Sequence, residues 1–237
     1  LMDTDSKRVK LIQEKIMQGD SMDKVSVIIR NRNESEYIGF AIQSCLDHFK
    51  NPEIIIVDNN STDDSLEIVN LFKDRTSIKV ITINNYTPGK SINLGANKAS
   101  NELILVLSAH SQITNLNKEY IVENFKNNQY VAIFGQQNPI YKGKKISKRY
   151  VWSHFTNEES INLFSEIEKR YFLHNAFCFY KKSILMKYPM PEQYPGKEDR
   201  YWASDMIKKG FNYLYDGVYQ KCNHFYTGNG ATWKGIG

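Results

Sequence analysis

Short apolar runs at 25–29, 54–57, 78–83 and 103–107 alternate with segments of helical periodicity along the first half of the chain. That alternation restricts the fold more than any other feature. Strands separated by helices build a parallel sheet whose two faces are both covered, so an α/β fold is expected. Segment 37–49 places Ile38, Ala41, Ile42, Cys45 and Leu46 on one side, as an amphipathic helix does. Further helices are expected over about 63–73, 91–99 and 118–128, and a fifth strand over 130–134. In such sheets, ligands bind outside the carboxyl ends of the strands.

The character changes after Gly135. Residues 142–149 form a basic loop, which is either a solvated surface or a patch that steers a phosphate-bearing ligand. A helix is expected over 157–170, a strand over 177–180 and a short helix over 183–187. Pro189, Pro191 and Pro195 mark an irregular stretch. A helix over 199–209 is stopped by Gly210, and a strand over 213–215 follows. At the other end, Val9, Ile12 and Ile16 give residues 6–18 helical spacing. Residues 1–24 are therefore set aside as an N-terminal helix or linker. The chain opens Leu-Met and closes Gly-Ile-Gly, as expected of a piece of a longer, multidomain protein.

Composition narrows the class. A chain of 237 residues with 41% hydrophobic and 24% charged residues suits a soluble globular protein. Its net charge of +5 is too small to imply nucleic acid. It is compatible with an anionic ligand or with peripheral attachment to a membrane carrying acidic lipid. Cys45, Cys178 and Cys222 show no zinc spacing and no disulfide framework, which fits a reducing cytosol. No run is apolar enough to span a bilayer.

Several constellations carry chemical potential. Asp58-Asn59-Asn60-Ser61-Thr62-Asp63 ends one strand and opens a helix. Its carboxylate can read a nucleotide base or ribose, or the stretch is a capped turn. Glu198-Asp199 begins a helix, where a carboxylate is favoured and can accept a proton from an attacking hydroxyl. Nearby, Trp202 offers a stacking face for a sugar, or fills the core. Tyr86-Thr87-Pro88-Gly89-Lys90-Ser91 is a turn whose free N–H groups and lysine can hold phosphate, although it lacks the P-loop spacing. His110, in Ser108-Ala109-His110, and His224 are each candidates for a metal or a diphosphate.

Taken in order, these elements resemble the nucleotide-sugar-dependent glycosyltransferases of family 2, whose fold is called GT-A. The resemblance runs from about residue 25 to residue 224. Strand 25–29 with Arg30-Asn31-Arg32-Asn33-Glu34 resembles the family's first strand and turn, which implies donor contacts from Arg30, Asn31 and Glu34. Asp58, with Asn59 beside it, stands where the family places an aspartate on the nucleotide. Gly89-Lys90 through Asn93-Leu94-Gly95 and Ala99 resembles a further family segment and implies that Lys90 lies on the donor side. Glu198-Asp199 with Trp202 resembles the Glu-Asp-x-x-Trp acceptor motif. That makes Asp199 the expected catalytic base, with Glu198 and Trp202 binding the acceptor. His224 matches the family's late histidine, often a metal ligand.

One departure stands out. Where the family carries a metal-binding Asp-x-Asp, this chain reads Ser108-Ala109-His110. With Gly135-Gln136-Gln137-Asn138-Pro139, this resembles a bacterial subgroup with the same substitution, so Ser108 and His110 are expected on the donor side of a variant site. A divalent cation (Mn²⁺ or Mg²⁺) on His110 and His224 is one expectation. Diphosphate stabilisation by Lys90, other cations and helix N-termini is the other.

The resemblance implies a mostly parallel, Rossmann-like sheet with helices on both faces and a smaller acceptor-side subdomain. Residues 25–237 then form one domain. Residues 25–135 take a nucleotide-sugar, and residues 136–237 take a glycan or lipid-linked acceptor. The implied activity is inverting sugar transfer in bacterial surface polysaccharide synthesis, in the cytoplasm or at the inner face of the membrane. The rival reading is a catalytically silent nucleotide- or sugar-binding domain. An NAD enzyme is disfavoured by the lack of Gly-x-Gly-x-x-Gly after the first strand.

Overall fold

Ten strands make the main sheet of the computed structural model, which describes residues 22–127, 130–145 and 149–230. The helix expected at 6–18 lies outside the described residues. The first half alternates as its apolar runs dictate: β1 (Val25–Asn31), α1 (Ile38–His48), β2 (Glu53–Asp58), α2 (Ser65–Asn70), β3 (Ile78–Thr82), α3 (Pro88–Lys98) and β4 (Leu103–Ser108). Then come β5 (Ser111–Asn115), α4 (Lys118–Lys126), β6 (Ala132–Tyr141), β7 (Lys144–Lys145) and a 3-10 turn at Tyr150–His154. The remainder is β8 (Glu159–Ile161), β9 (Phe164–Ser165), β10 (Arg170–Tyr171), β11 (Phe177–Lys181), α5 (Lys182–Lys187), α6 (Glu198–Lys208) and β12 (Leu214–Phe225).

The sheet runs β3-β2-β1-β4-β11-β6-β12-β5, with β7 beside β6 and β8 beside β12. It is parallel from β3 to β4 and mixed beyond, because β11 runs antiparallel to both of its neighbours. Alternate side chains of β1, β2 and β4 feed two cores. Val27, Ile29, Ile54, Ile56 and Leu105 pack with α1 and α4, whereas Ile28, Ile55, Ile104 and Val106 pack with α3 and α6. Both faces of these strands are dry, which explains their unbroken apolar runs.

The helix expected over 157–170 is not formed. That stretch holds β8, β9 and β10 instead. Glu159–Ile161 pairs antiparallel with Asp216, Tyr215 and Leu214 of β12. Left-handed residues Asn162 (φ 54°) and Lys169 (φ 52°) break the chain on either side of β9. A partner strand offering ladder bonds outweighs local helix preference here. Of the basic loop, Lys142 and Gly143 form a tight turn into β7, and residues 146–148 lie outside the described residues.

Candidate active site

A cleft of about 500 Å³ opens at the carboxyl ends of β1 and β4. One wall comes from β1 and the turns after β1 and β2. Register places Asn31 beside Asp58, and Asn31 Nδ2 donates to Asp58 Oδ1 at 2.8 Å. The Ser61 amide and hydroxyl donate to the same carboxylate at 3.0 and 2.6 Å. Asn33 is left-handed at φ 52°, and its side-chain oxygen accepts from Thr62 N at 2.7 Å. The two turns therefore lock each other and present Asn31, Arg32 and Asn59 to the cleft.

The opposite wall is the start of α6, where Glu198 and Asp199 are both buried and both line the cleft. Asp199 Oδ2 accepts from the Asn175 amide at 3.0 Å. Its Oδ1 accepts from the Arg200 amide at 2.9 Å and from Arg200 Nη1 at 3.1 Å. Arg200 is buried in turn, with its guanidinium 4.4 Å from the Phe172 ring centre and 3.4 Å from Glu168 Oε1. These contacts fix the carboxylate plane and leave Oδ2 with room for one more donor. Glu198 Oε1 accepts from Asn175 Nδ2 at 3.1 Å and from Arg30 Nη1 at 3.5 Å. Burial, with Asp199 alongside, raises the Glu198 pKa above the ordinary carboxylate value, against the opposing pull of Arg30. Asn175, in the loop before β11, is the hub: Tyr180 OH donates to its side chain at 2.5 Å.

Three histidines form the floor. His110 Nδ1 lies 3.0 Å from Glu34 Oε1, and its Nε2 lies 3.0 Å from Ser108 Oγ. The His110 and His224 rings stack with centres 4.9 Å apart and planes 29° apart. Gln137 joins His224 to His174. The pKa values of His174 and His224 are held well below the usual imidazole value, first by burial and then by neighbouring histidines and arginines.

This floor is not the metal pair expected of His110 and His224. A metal lies in the plane of each imidazole it binds, and two stacked rings do not converge on one point. Both nitrogens of His110 and Nδ1 of His224 already face partners. Among the described residues, no group of three or more His, Cys, Asp or Glu side chains is placed to hold a metal ion. Among the described residues, the protein alone does not complete a cation's coordination shell.

The sequence model of "Glycosyl transferase family 2" matches residues 26–189, over half of the chain. The chain belongs to glycosyl transferase family 2. A family relative, the GalNAc(5)-diNAcBac-PP-undecaprenol beta-1,3-glucosyltransferase of Campylobacter jejuni, is 30% identical over 80% of this chain and 62% of its own length. The poly-beta-1,6-N-acetyl-D-glucosamine synthase of Staphylococcus epidermidis is 26% identical over 78% of this chain and 43% of its own length. The chain thus spans less than two thirds of either relative. Crystalline S. aureus TarS 1-349 in complex with UDP-GlcNAc superposes with a TM-score of 0.62 at 23% identity, over 86% of this chain and 59% of that one. The fold is therefore GT-A.

Within this family 2 fold, the cleft gathers most of the residues singled out in the sequence: Arg30, Asn31, Glu34, Asn59, Ser108, His110, Glu198, Asp199 and His224. Three lie elsewhere. Asp58 is 2% exposed, and its carboxylate is committed to Asn31 and Ser61. Lys90 turns its Nζ to the Asn84 carbonyl at 3.0 Å. Trp202 is 2% exposed and donates its indole N–H to the Tyr188 carbonyl at 2.7 Å, with its ring edge-on to Tyr180. It is a core residue of α6, one turn behind Asp199, and offers no stacking face to the cleft.

The Gly89–Gly95 segment also differs from a phosphate loop. Asn93 exchanges hydrogen bonds with the backbone of Met190, both at 2.9 Å. Gly89 lies so close that an added Cβ would stand 2.1 Å from the Pro191 carbonyl oxygen. Helix α3 thereby clamps the stretch that leads into Glu198 and Asp199. Asn175, His174 and Arg200 went unassigned in the sequence. His174 and Asn175 sit in no recognisable spacing and reach the acid pair only through the loop before β11, whereas Arg200 directly follows Asp199.

Proposed function

We propose that the chain is the transferase domain of an inverting glycosyltransferase that moves a sugar from a nucleoside-diphosphate donor to a hydroxyl of a glycan or lipid-linked acceptor. The observation that carries this reading is Asp199. Its carboxylate is held by Asn175 and Arg200 at the mouth of α6, and it faces the same cleft as Arg30, Asn31 and Asn59. The family relatives act, by their names, in lipid-linked glycan and polysaccharide synthesis.

In this reading residues 25–135 hold the donor and residues 136–237 the acceptor. The acceptor hydroxyl donates to Asp199 Oδ2. As its oxygen bonds the anomeric carbon, Asp199 takes the proton. The bond from that carbon to the diphosphate breaks on the opposite face, which inverts the centre. Positive charge from Arg30, Arg32 and Lys197, all lining the cleft, offsets the charge growing on the leaving group. Glu198 orients the acceptor and fixes Arg30. Asp58 acts on the nucleotide through Asn31, whose amide it orients. A bacterial surface glycan is the acceptor class in keeping with the relatives, and the cytoplasmic face of the membrane is where a lipid-linked acceptor of that kind meets its donor. No helix among the described residues is long and apolar enough to cross a membrane.

Thermal-shift titration with nucleoside diphosphates and nucleotide sugars, each with Mn²⁺, Mg²⁺ or EDTA, tests the donor side. A rise in Tm with one nucleotide, retained in EDTA, is expected. No response to any nucleotide would favour a silent domain, and a response lost in EDTA would restore a metal.

A further inference from the structure

We propose that the β6–β7 hairpin is a docking surface for an anionic lipid bilayer. Its tip, Lys142-Gly143-Lys144-Lys145, is exposed and carries three cations and no carboxylate. Some exposed lysines elsewhere pair with acids, as Lys79 does with Glu53 and Lys209 with Asp205. Others, such as Lys50, Lys73 and Lys208, stand singly on the surface, and the tip differs in bringing three together. Among the described residues, none of the three tip lysines is in an ion pair. The cations sit on an ordered ribbon: Tyr141 pairs with Lys144, and Ile140 with Lys145. The turn is left-handed at Lys142 (φ 48°) and Gly143 (φ 73°), the geometry that closes a twisted hairpin.

Aromatic rings flank the cations. Tyr141 and Tyr226 meet edge to face at 4.8 Å and are 40% and 41% exposed. Lys142 Nζ lies 5.4 Å from the Tyr141 ring centre. Phenols that are part apolar and part polar settle at the headgroup level of a bilayer, and lysines beside them meet acidic lipid. A nucleic acid, by contrast, needs a cationic track along its length, whereas these charges are confined to one tip.

The position of the tip gives the surface a purpose. The Tyr226 amide donates to the Ile140 carbonyl at 2.8 Å, so the 226–229 loop is tied to the hairpin. A second cavity of about 500 Å³ is bounded by Tyr141, Lys142 and Tyr226, and it shares Glu34 and Asn229 with the main cleft. A bilayer touching the tip would therefore lie beside a cavity that adjoins the cleft of Asp199. The benefit of that placement rests on the lipid-linked acceptor proposed above. The docking itself does not.

Co-sedimentation with vesicles tests it. The chain should sediment with phosphatidylcholine vesicles containing phosphatidylglycerol, not with phosphatidylcholine alone, and binding should fall as salt rises. The triple variant K142E/K144E/K145E should bind roughly a hundredfold more weakly, at about fivefold per lysine. The charge-matched variant K50E/K73E/K208E, altered at exposed sites elsewhere, should retain most of the binding. Y141S/Y226S should weaken binding at constant charge. Equal loss in both triple variants would overturn the assignment, as would no binding by the unaltered chain, or tighter binding to single-stranded RNA than to the vesicles. Vesicle binding lost with nucleotide binding intact would reject the docking surface alone. The reverse result would reject the transfer reading alone.

Discussion

Gln137 holds His224 through a 2.8 Å contact between its amide oxygen and imidazole Nδ1. The direction of that bond is fixed from further away. The Ala176 amide donates to His174 Nδ1 at 3.3 Å, so this nitrogen carries a lone pair. Gln137 must then turn its NH₂ to His174, at 3.0 Å, and its oxygen to His224. His224 is left as the Nδ1–H tautomer, with Nε2 an acceptor. A backbone amide thus sets the hydrogen-bonding character of the cleft floor through two side chains.

Nitrogen-15 NMR of labelled imidazoles should show His224 neutral and protonated on Nδ1 near neutral pH, and His174 neutral and protonated on Nε2. Burial, the first cause of their lowered pKa values, keeps both uncharged. Gln137→Leu should release the His224 preference and leave that of His174. A charged His224, or one protonated on Nε2 in the unaltered chain, would contradict the arrangement.

Gly89→Ala should destabilise the fold even though alanine is the better helix former. The new Cβ would meet the Pro191 backbone oxygen at 2.1 Å, and backbone cannot rotate aside. A net loss of about 1–3 kcal/mol is expected in urea denaturation, set by overpacking. Lys90→Ala, one residue on, should lie within about 0.5 kcal/mol of the unaltered chain. Equal stability of both variants would show that α3 does not clamp the approach to Glu198.

Glu53 gives the fold an acid limb. Burial would raise its pKa, but hydrogen bonds from Lys79, Ser26 and Ser100 outweigh that and hold it at about 2. A depressed acid contributes stability that is complete above its unfolded pKa of about 4.5 and is lost as pH falls towards about 2. Because Lys79 is half exposed, solvent screening limits the contribution to about 1–2 kcal/mol. Glu53→Gln should flatten the decline in Tm across that window. An unchanged slope would mean that the network around Glu53 has no net effect.

Much of the architecture was legible because β1, β2 and β4 are buried on both faces and must be apolar throughout. The strand ends then delivered Arg30, Asn31 and Ser108 to one edge without help from tertiary detail. The second half resisted for the opposite reason. Residues 159–161 become a strand only because β12 presents an edge to them. β12 itself runs on to Phe225, far beyond the expected 213–215, because β6 and β5 pair with it. In the site, the carboxylates Glu198 and Asp199 were visible as a pair at a helix start. Trp202 was misplaced because helical spacing does not say which face of α6 meets the sheet. Asn175 and Gln137 act through hydrogen bonds to residues far off in sequence, and those leave no periodic trace.

The decisive comparison sets the unaltered chain against Asp199→Asn, using the nucleotide that gives the largest thermal shift. Binding of that nucleotide should stay within about twofold, while sugar transfer falls about 10²–10⁴-fold, as loss of a general base requires. Transfer that survives in Asp199→Asn, or nucleotide binding that fails along with it, would contradict the role of Asp199 as the base.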